Sequence, residues 1–456
     1  MGKRFDFEYI VIGGGIAGIT AALRLAEAKR KVALIEQDKW GGSGTNYRDV
    51  PQKALFSFSH LYAQAIAGGR FGISANNLRY NYPSVMRWRE RAIMKAAPKK
   101  KDLETAGVVC LKGKAHFVGT NDVAVGDAQL SANKFILATG SEPKENEISG
   151  LDTVTYLTPK TALMIKRPPK AVLVVGGGAS GLEIAQYYTE LGAKVVIVEM
   201  AGRLLPKRDE EVGKVMEQYF TKRLGVKVFT NTRVVALEKD KVAKKVVFMQ
   251  NGQERTVRVE TVVLATGSKP ATDLGLKNAG VSFDNTGVVV DRTLHTTARQ
   301  IYAVGDVIGA DSSTEKANYT AEVAVRNMLE RNKTYVNFDG IIQIVDTDPQ
   351  VAIVGMAEDD LAKKSKKYKK VLVPLSAAQA SVTSDFRIGF LKLLADSQGK
   401  LLGAAAICPN ATEILQEIAL AIRHNIPLVQ IASTPHVNGS WSELVRIAVK
   451  QLIAKK

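Results

Sequence analysis

Sulfur is scarce in this chain of 456 residues: only Cys110 and Cys408 occur, far apart and each without a neighbouring partner. That excludes a disulfide framework and a thiolate metal site, both of which need clustered cysteines. Five histidines without close spacing leave no zinc pattern, and no metal is expected. No apolar run reaches the roughly 20 residues that span a bilayer. The start, Met1-Gly2-Lys3-Arg4-Phe5-Asp6, runs into a strand near Tyr9 with no signal-peptide core, and Asp6 breaks the myristoylation pattern. A cytoplasmic protein is expected. Acids are outnumbered, 45 against 63 bases, for a net charge of +18. The basic runs Lys99–Lys101 and Lys363–Lys370 read as solvated surface, or as an attraction for phosphorylated cofactors or anionic lipid surfaces. Aromatics do not interleave with them, so specific nucleic-acid readout is not expected.

What is present is a repeat. Tyr9–Ile12 is followed by Gly13-Gly14-Gly15-Ile16-Ala17-Gly18, a helical stretch to about Glu27, and a strand Lys31–Ile35 ending at Glu36. Val172–Val175 is followed by Gly176-Gly177-Gly178-Ala179-Ser180-Gly181, a helix to about Leu191, and a strand Lys194–Val198 ending at Glu199. Each copy is the dinucleotide-binding βαβ unit: glycines for the turn, the close approach of a pyrophosphate and the helix–strand contact, and an acid for ribose hydroxyls. One such pattern is weak because many tight turns share it; two complete copies are specific. Glu199 would repel a 2′-phosphate, which favours NADH and leaves NADPH as an alternative through Arg203. A shorter echo, Ala138-Thr139-Gly140-Ser141 and Ala265-Thr266-Gly267-Ser268, closes each region. The stretch Val228–Leu264 reads as a β-meander. The last third has strands near Ile341–Val345, Val351–Val354 and Leu401–Ile407 and helices near Asn410–Arg423 and Ser440–Leu452, an α+β pattern.

These motifs resemble the pyridine nucleotide-disulfide oxidoreductases over essentially the whole chain. Ile301-Tyr302-Ala303-Val304-Gly305-Asp306 is similar to the family's second FAD motif, Thr347-Asp348-Pro349 with Gly355 to the start of its dimerisation domain, and Ser442-Glu443 to its C-terminal motif. The resemblance implies an α/β fold of two Rossmann-like domains and a C-terminal α+β dimerisation domain. The expected boundaries are FAD-binding at 1–148 and 271–336, NAD(P)H-binding at 149–270 and dimerisation at 337–456. It implies a homodimer using FAD and NADH. FAD contacts are implied at Gly13, Gly15, Gly18, Glu36, Gly42, Lys53, Ala115, Thr139, Gly140 and Asp306, and nicotinamide-nucleotide contacts at Gly176, Gly178, Gly181, Glu199 and Gly267. Lys53 and Glu183 match the family's pair beside flavin N5. Ala179 stands where a bulky gate residue is common.

The reactive centre departs from the family. In Gly42-Ser43-Gly44-Thr45-Asn46-Tyr47-Arg48-Asp49-Val50-Pro51-Gln52-Lys53, Gly44 and Asp49 occupy the two cysteine positions. Asn438 occupies the catalytic histidine position, although Glu443, which would orient that histidine, remains; His436 lies two residues off. Disulfide exchange needs a thiolate and an acid–base group, and neither is here. Asp49 is expected either as a proton donor or as the ion-pair partner of Arg48. Three functions stay open. The first is an FAD-dependent NAD(P)H oxidoreductase that reduces a small non-disulfide acceptor such as a quinone. The second is a soluble transhydrogenase, whose branch shares Thr45. The third is an inactive flavin-binding relative.

Overall fold

A computed structural model describes residues 5–75, 77–241, 243–309 and 313–455; the start Met1–Arg4 lies outside them. The chain forms two compact units, one of Met1–Leu55, Asn81–Glu145 and Gly267–Val336, the other of Phe56–Tyr80, Asn146–Thr266 and Asn337–Lys456. Both βαβ repeats are present. The first is β1 (Phe7–Ile12), α1 (Ile16–Glu27) and β2 (Val32–Glu36). The second is β3 (Ala171–Val175), α2 (Ala179–Glu190) and β4 (Lys194–Val198). Their strands read as continuous apolar runs because both faces are covered: Ile10 and Val11, like Leu173 and Val174, have no exposed surface.

In the first unit, strand Val108–Lys112, β2, β1, the second half of Ala128–Leu137 and Ile301–Ala303 run parallel in that order. The first half of Ala128–Leu137 continues into an antiparallel pairing with Asp122–Val125, and that strand with Ala115–Phe117. Cys110 lies in the parallel edge strand.

In the second unit, Lys227–Phe229, β4, β3 and Thr261–Leu264 form a parallel sheet. A separate antiparallel meander runs from Thr232 to Val259. The single meander expected over Val228–Leu264 is thus corrected: its two ends belong to the parallel sheet, and Val262–Leu264 are unbroken core rather than alternating. The C-terminal part is a five-stranded antiparallel sheet in the order Gln343–Val345, Gln350–Gly355, Leu401–Cys408, Phe390–Ala395, Lys369–Pro374. It is backed by helices Ala411–His424 and Glu443–Ala454, which share its core. Cys408 ends the strand Leu401–Cys408.

Phe390–Ala395 escaped the sequence reading although every residue in it is buried. Lys392 disguises it: with no exposed surface, its ammonium lies 2.6 Å from Asp209, 2.8 Å from Glu358 and 3.1 Å from Glu211. A buried lysine survives only with such partners. Among the described residues, no helix is long and apolar enough to cross a membrane.

Candidate active site

The two glycine turns have the same backbone. Gly13 and Gly176 both adopt φ +108°, a conformation that a Cβ would strain. A Cβ on Gly18 would stand 1.8 Å from the Gly13 carbonyl oxygen, and one on Gly181 2.0 Å from that of Gly176. Helix and turn therefore touch backbone to backbone, and only glycine permits it. Gly15 and Gly178 cap α1 and α2 without a side-chain hydrogen bond. The first-turn amides and the positive helix end are left for an anion. Glu36 accepts the amides of Gly14 and Asp38, both at 2.5 Å. Glu199 repeats this with Gly177 at 2.6 Å and Ala201 at 2.7 Å. Each carboxylate is thereby fixed at the rim of its turn. These cradles have the donors and the backbone clearance that a dinucleotide pyrophosphate and ribose require.

The rest of the first unit's predicted set lies as follows. Gly42, at φ +60°, packs on the first cradle: a Cβ there would be 2.6 Å from the Gly15 Cα. Ala115 is buried at the start of its strand. The Thr139 hydroxyl donates to the Ala271 carbonyl at 2.7 Å, and the Gly140 carbonyl accepts the Ala271 amide at 2.9 Å. Ser141–Pro143 pairs antiparallel with Ser268–Pro270, so the segments after the two sequence echoes are joined in space, and Gly267 turns at φ +102° just before that pairing. Asp306 accepts the Ser141 hydroxyl at 3.0 Å. Lys53 is exposed on helix Asp49–Ala67.

Gly44 and Asp49 face each other. A Cβ built on Gly44 would stand 3.0 Å from Asp49 Oδ2. The same oxygen accepts the hydroxyl of Thr314, the first residue of helix Thr314–Leu329. Among the described residues Asp49 makes no ion pair with Arg48; the pairing expected there is replaced by this contact across 265 residues of chain. Thr314 carries no sequence signal, because nothing local ties it to Asp49; Ser141 belongs to the first echo, but nothing local ties it to Asp306. The two cysteines lie elsewhere, both buried. Burial pushes the Cys408 thiol up to about 12 and raises that of Cys110, so neither is poised as a thiolate.

In the second unit Glu183 is buried on α2, and its Oε1 accepts the Asp346 amide at 2.8 Å. Ala179 opens that helix. Glu443 opens helix Glu443–Ala454; its Oε1 accepts from Arg446 at 3.0 Å, while its Oε2 is buried with no hydrogen-bond partner among the described residues. Asn438 is exposed. His436 is held by Glu417 at 3.1 Å and by the Thr434 carbonyl at 2.9 Å, so it does not replace the missing histidine at Glu443. Arg203 turns its guanidinium onto the carbonyls of Pro206 and Arg208 at 3.2 and 3.0 Å.

Comparison with known proteins gives the family. The family described as pyridine nucleotide-disulphide oxidoreductase matches residues 7–327, and its dimerisation domain matches residues 341–449. The dihydrolipoyl dehydrogenase of Geobacillus stearothermophilus is 30% identical over 454 residues, 98% of this chain and 96% of the relative. A mercuric reductase of Bacillus cereus is 29% identical over 450 residues, 98% and 71% respectively. The crystal structure of LpdA from Mycobacterium tuberculosis superposes with a TM-score of 0.87 at 26% identity, covering 97% of this chain and 99% of the other. The HOCl-induced flavoprotein disulfide reductase RclA of Escherichia coli shares the fold, with a TM-score of 0.85 at 23% identity and coverage of 97% and 99%.

Proposed function

The chain belongs to the pyridine nucleotide-disulphide oxidoreductases, and we propose that it is an FAD-dependent NAD(P)H oxidoreductase whose electron acceptor is not a disulfide. One observation carries this reading. The two positions that resemble the family's cysteine pair hold a glycine and a carboxylate facing each other, and the carboxylate is engaged by Thr314. Bound FAD supplies two-electron exchange between a nicotinamide and the acceptor. The first cradle, with Glu36, Ala115, Thr139, Asp306 and Lys53, holds it, and the second, with Glu199 and Gly267, holds the nicotinamide nucleotide. Gly44 removes a side chain beside the Asp49 carboxyl, the group given the role of proton donor to the acceptor. Lys53 is given the steadying of negative charge on the reduced flavin, and Glu183 the positioning of the nicotinamide. NADH is favoured over NADPH because a fixed Glu199 carboxylate at the ribose position would repel a 2′-phosphate, and the Nη2 of Arg203 is turned to the Pro206 and Arg208 carbonyls. The same argument weighs against a transhydrogenase, which must accept a 2′-phosphate.

The domains are assigned as FAD-binding over 1–148 and 271–336, nicotinamide-nucleotide-binding over 149–270 and dimerisation over 337–456, in a homodimer. The test is anaerobic. NADH should bleach the yellow protein and a quinone should restore its colour, while lipoamide and glutathione disulfide should not. Recovery with NADP⁺ alone would establish transhydrogenation instead, and yellow protein that NADH never bleaches would mark an inactive relative.

A further inference from the structure

Glu183 does not stand alone on α2. One turn on, Gln186 is 2% exposed, and its side-chain amide is fully committed. Its Oε1 accepts the Asp348 amide at 3.0 Å, and its Nε2 donates to the Asp348 carbonyl at 2.9 Å and to Glu190 at 2.8 Å. A side-chain amide thus pairs with the backbone of Asp348 at both N–H and C=O, as a neighbouring strand would. The other end of the arrangement is equally fixed. Glu190, on the last turn of α2, accepts the Ser59 hydroxyl at 2.5 Å and faces His60 Nδ1 at 2.8 Å. Burial opposes charge on His60, but the hydrogen bond and charge of Glu190, with Asp348 and Asp346 beyond it, raise its pKa. The Glu190 carboxylate therefore demands a donor from Gln186, which sets which way round the amide lies. Asp348 is two residues from Asp346, whose amide is the donor to Glu183 Oε1.

We infer that Gln186, locked by the Glu190–His60 pair, is a positioning residue that clamps the Asp346–Asp348 segment to α2 and so holds the Asp346 amide against Glu183. The inference rests on the reading of Glu183 as an orienting group for the nicotinamide. A buried amide that loses both backbone bonds frees the segment, and misplacement of an orienting carboxylate by a fraction of a turn lowers the rate of the step it serves without abolishing cofactor binding.

The experiment uses the full-length holoprotein with Gln186→Leu, Gln186→Met, Glu183→Gln and the Gln186→Leu/Glu183→Gln double variant. Hydrogen exchange by mass spectrometry should show segment 343–350 exchanging about tenfold faster in Gln186→Leu, with strand Leu401–Cys408 unchanged. The limiting rate of anaerobic bleaching by NADH should fall about tenfold with the Kd for NADH within about twofold, and Gln186→Leu should cost nothing further in the Glu183→Gln background. Gln186→Met, which fills the same volume, should behave as Gln186→Leu and serves if the latter does not fold. Unchanged exchange in segment 343–350, or equal losses of rate with and without Glu183, would overturn the clamp. If Glu183→Gln itself bleached at the wild-type rate, the role given to Glu183 under the proposed function would fall, and the positioning role with it.

Discussion

Restoring two cysteines tests whether Gly44 and Asp49 occupy a cross-linkable pair of positions. A Cβ on Gly44 would lie 3.7 Å from Asp49 Cγ, and Cγ marks roughly where a cysteine sulfur would sit. In a disulfide a Cβ and the opposite sulfur are about 3 Å apart, so less than about 1 Å of adjustment is needed. Closing the loop from 44 to 49, about 6 residues, removes about 2 kcal/mol of denatured-chain entropy. Against this, the charge-assisted bond from Thr314 is lost, which costs about 1.5–3 kcal/mol whether or not the bridge forms. The Gly44→Cys/Asp49→Cys protein should therefore be less stable than the parent when reduced and regain about 2 kcal/mol on oxidation. Thiol titration in denaturant should find only Cys110 and Cys408 free after oxidation, and urea unfolding with and without reductant should show the difference. Lipoamide turnover should stay absent, because Asn438 supplies no acid–base group. Thiols that stay free at 44 and 49 would refute the facing geometry, and brisk lipoamide turnover would refute the weight placed on Asn438.

Gly18→Val should abolish FAD retention, since the new side chain meets the Gly13 carbonyl at less than van der Waals contact; a variant that purifies yellow with a full complement of flavin would contradict this. Lys392→Met should cost about 3–5 kcal/mol in urea unfolding, because the buried Asp209 loses its cation while Glu211 and Glu358 are left with Lys370 alone; a loss below about 1 kcal/mol would show that the cluster relaxes into water. The same cluster sets an acid limit. Burial works against the Glu211 carboxylate, but its own backbone amide, Lys370 and Lys392 hold its pKa down at about 2. Its stabilisation is complete above the ordinary value of 4.5 and is lost as pH falls toward 2, so a chemical-denaturation series should show stability dropping across that window in the parent and dropping less in Lys392→Met.

Much of the fold was legible because its signals are local. A strand buried on both faces must be continuously apolar, and a helix resting on a turn must place glycine at fixed offsets, so β1-α1-β2 and β3-α2-β4 could be read directly. Legibility failed where one residue contradicted its neighbours for a distant reason. Lys392 obscured strand Phe390–Ala395 because its three carboxylates come from other segments. The ends of the supposed meander were misassigned because parallel pairing joins Lys227–Phe229 to β4 and Thr261–Leu264 to β3, links between separate segments that periodicity cannot see.

The site divides in the same way. Composition and order alone determined that two glycine turns of matching spacing exist, that each is followed by an acid, and that no cysteine lies in the segment 42–53, since all of these are facts of residue type at fixed spacing; that this segment is the reactive one is what the resemblance implies. Only the tertiary structure decided which group answers Asp49 and that Gln186 joins Glu183's helix to the Asp346–Asp348 segment. Hydrogen bonds between residues more than 100 positions apart depend on how the chain is threaded back through each unit, and no local pattern encodes that.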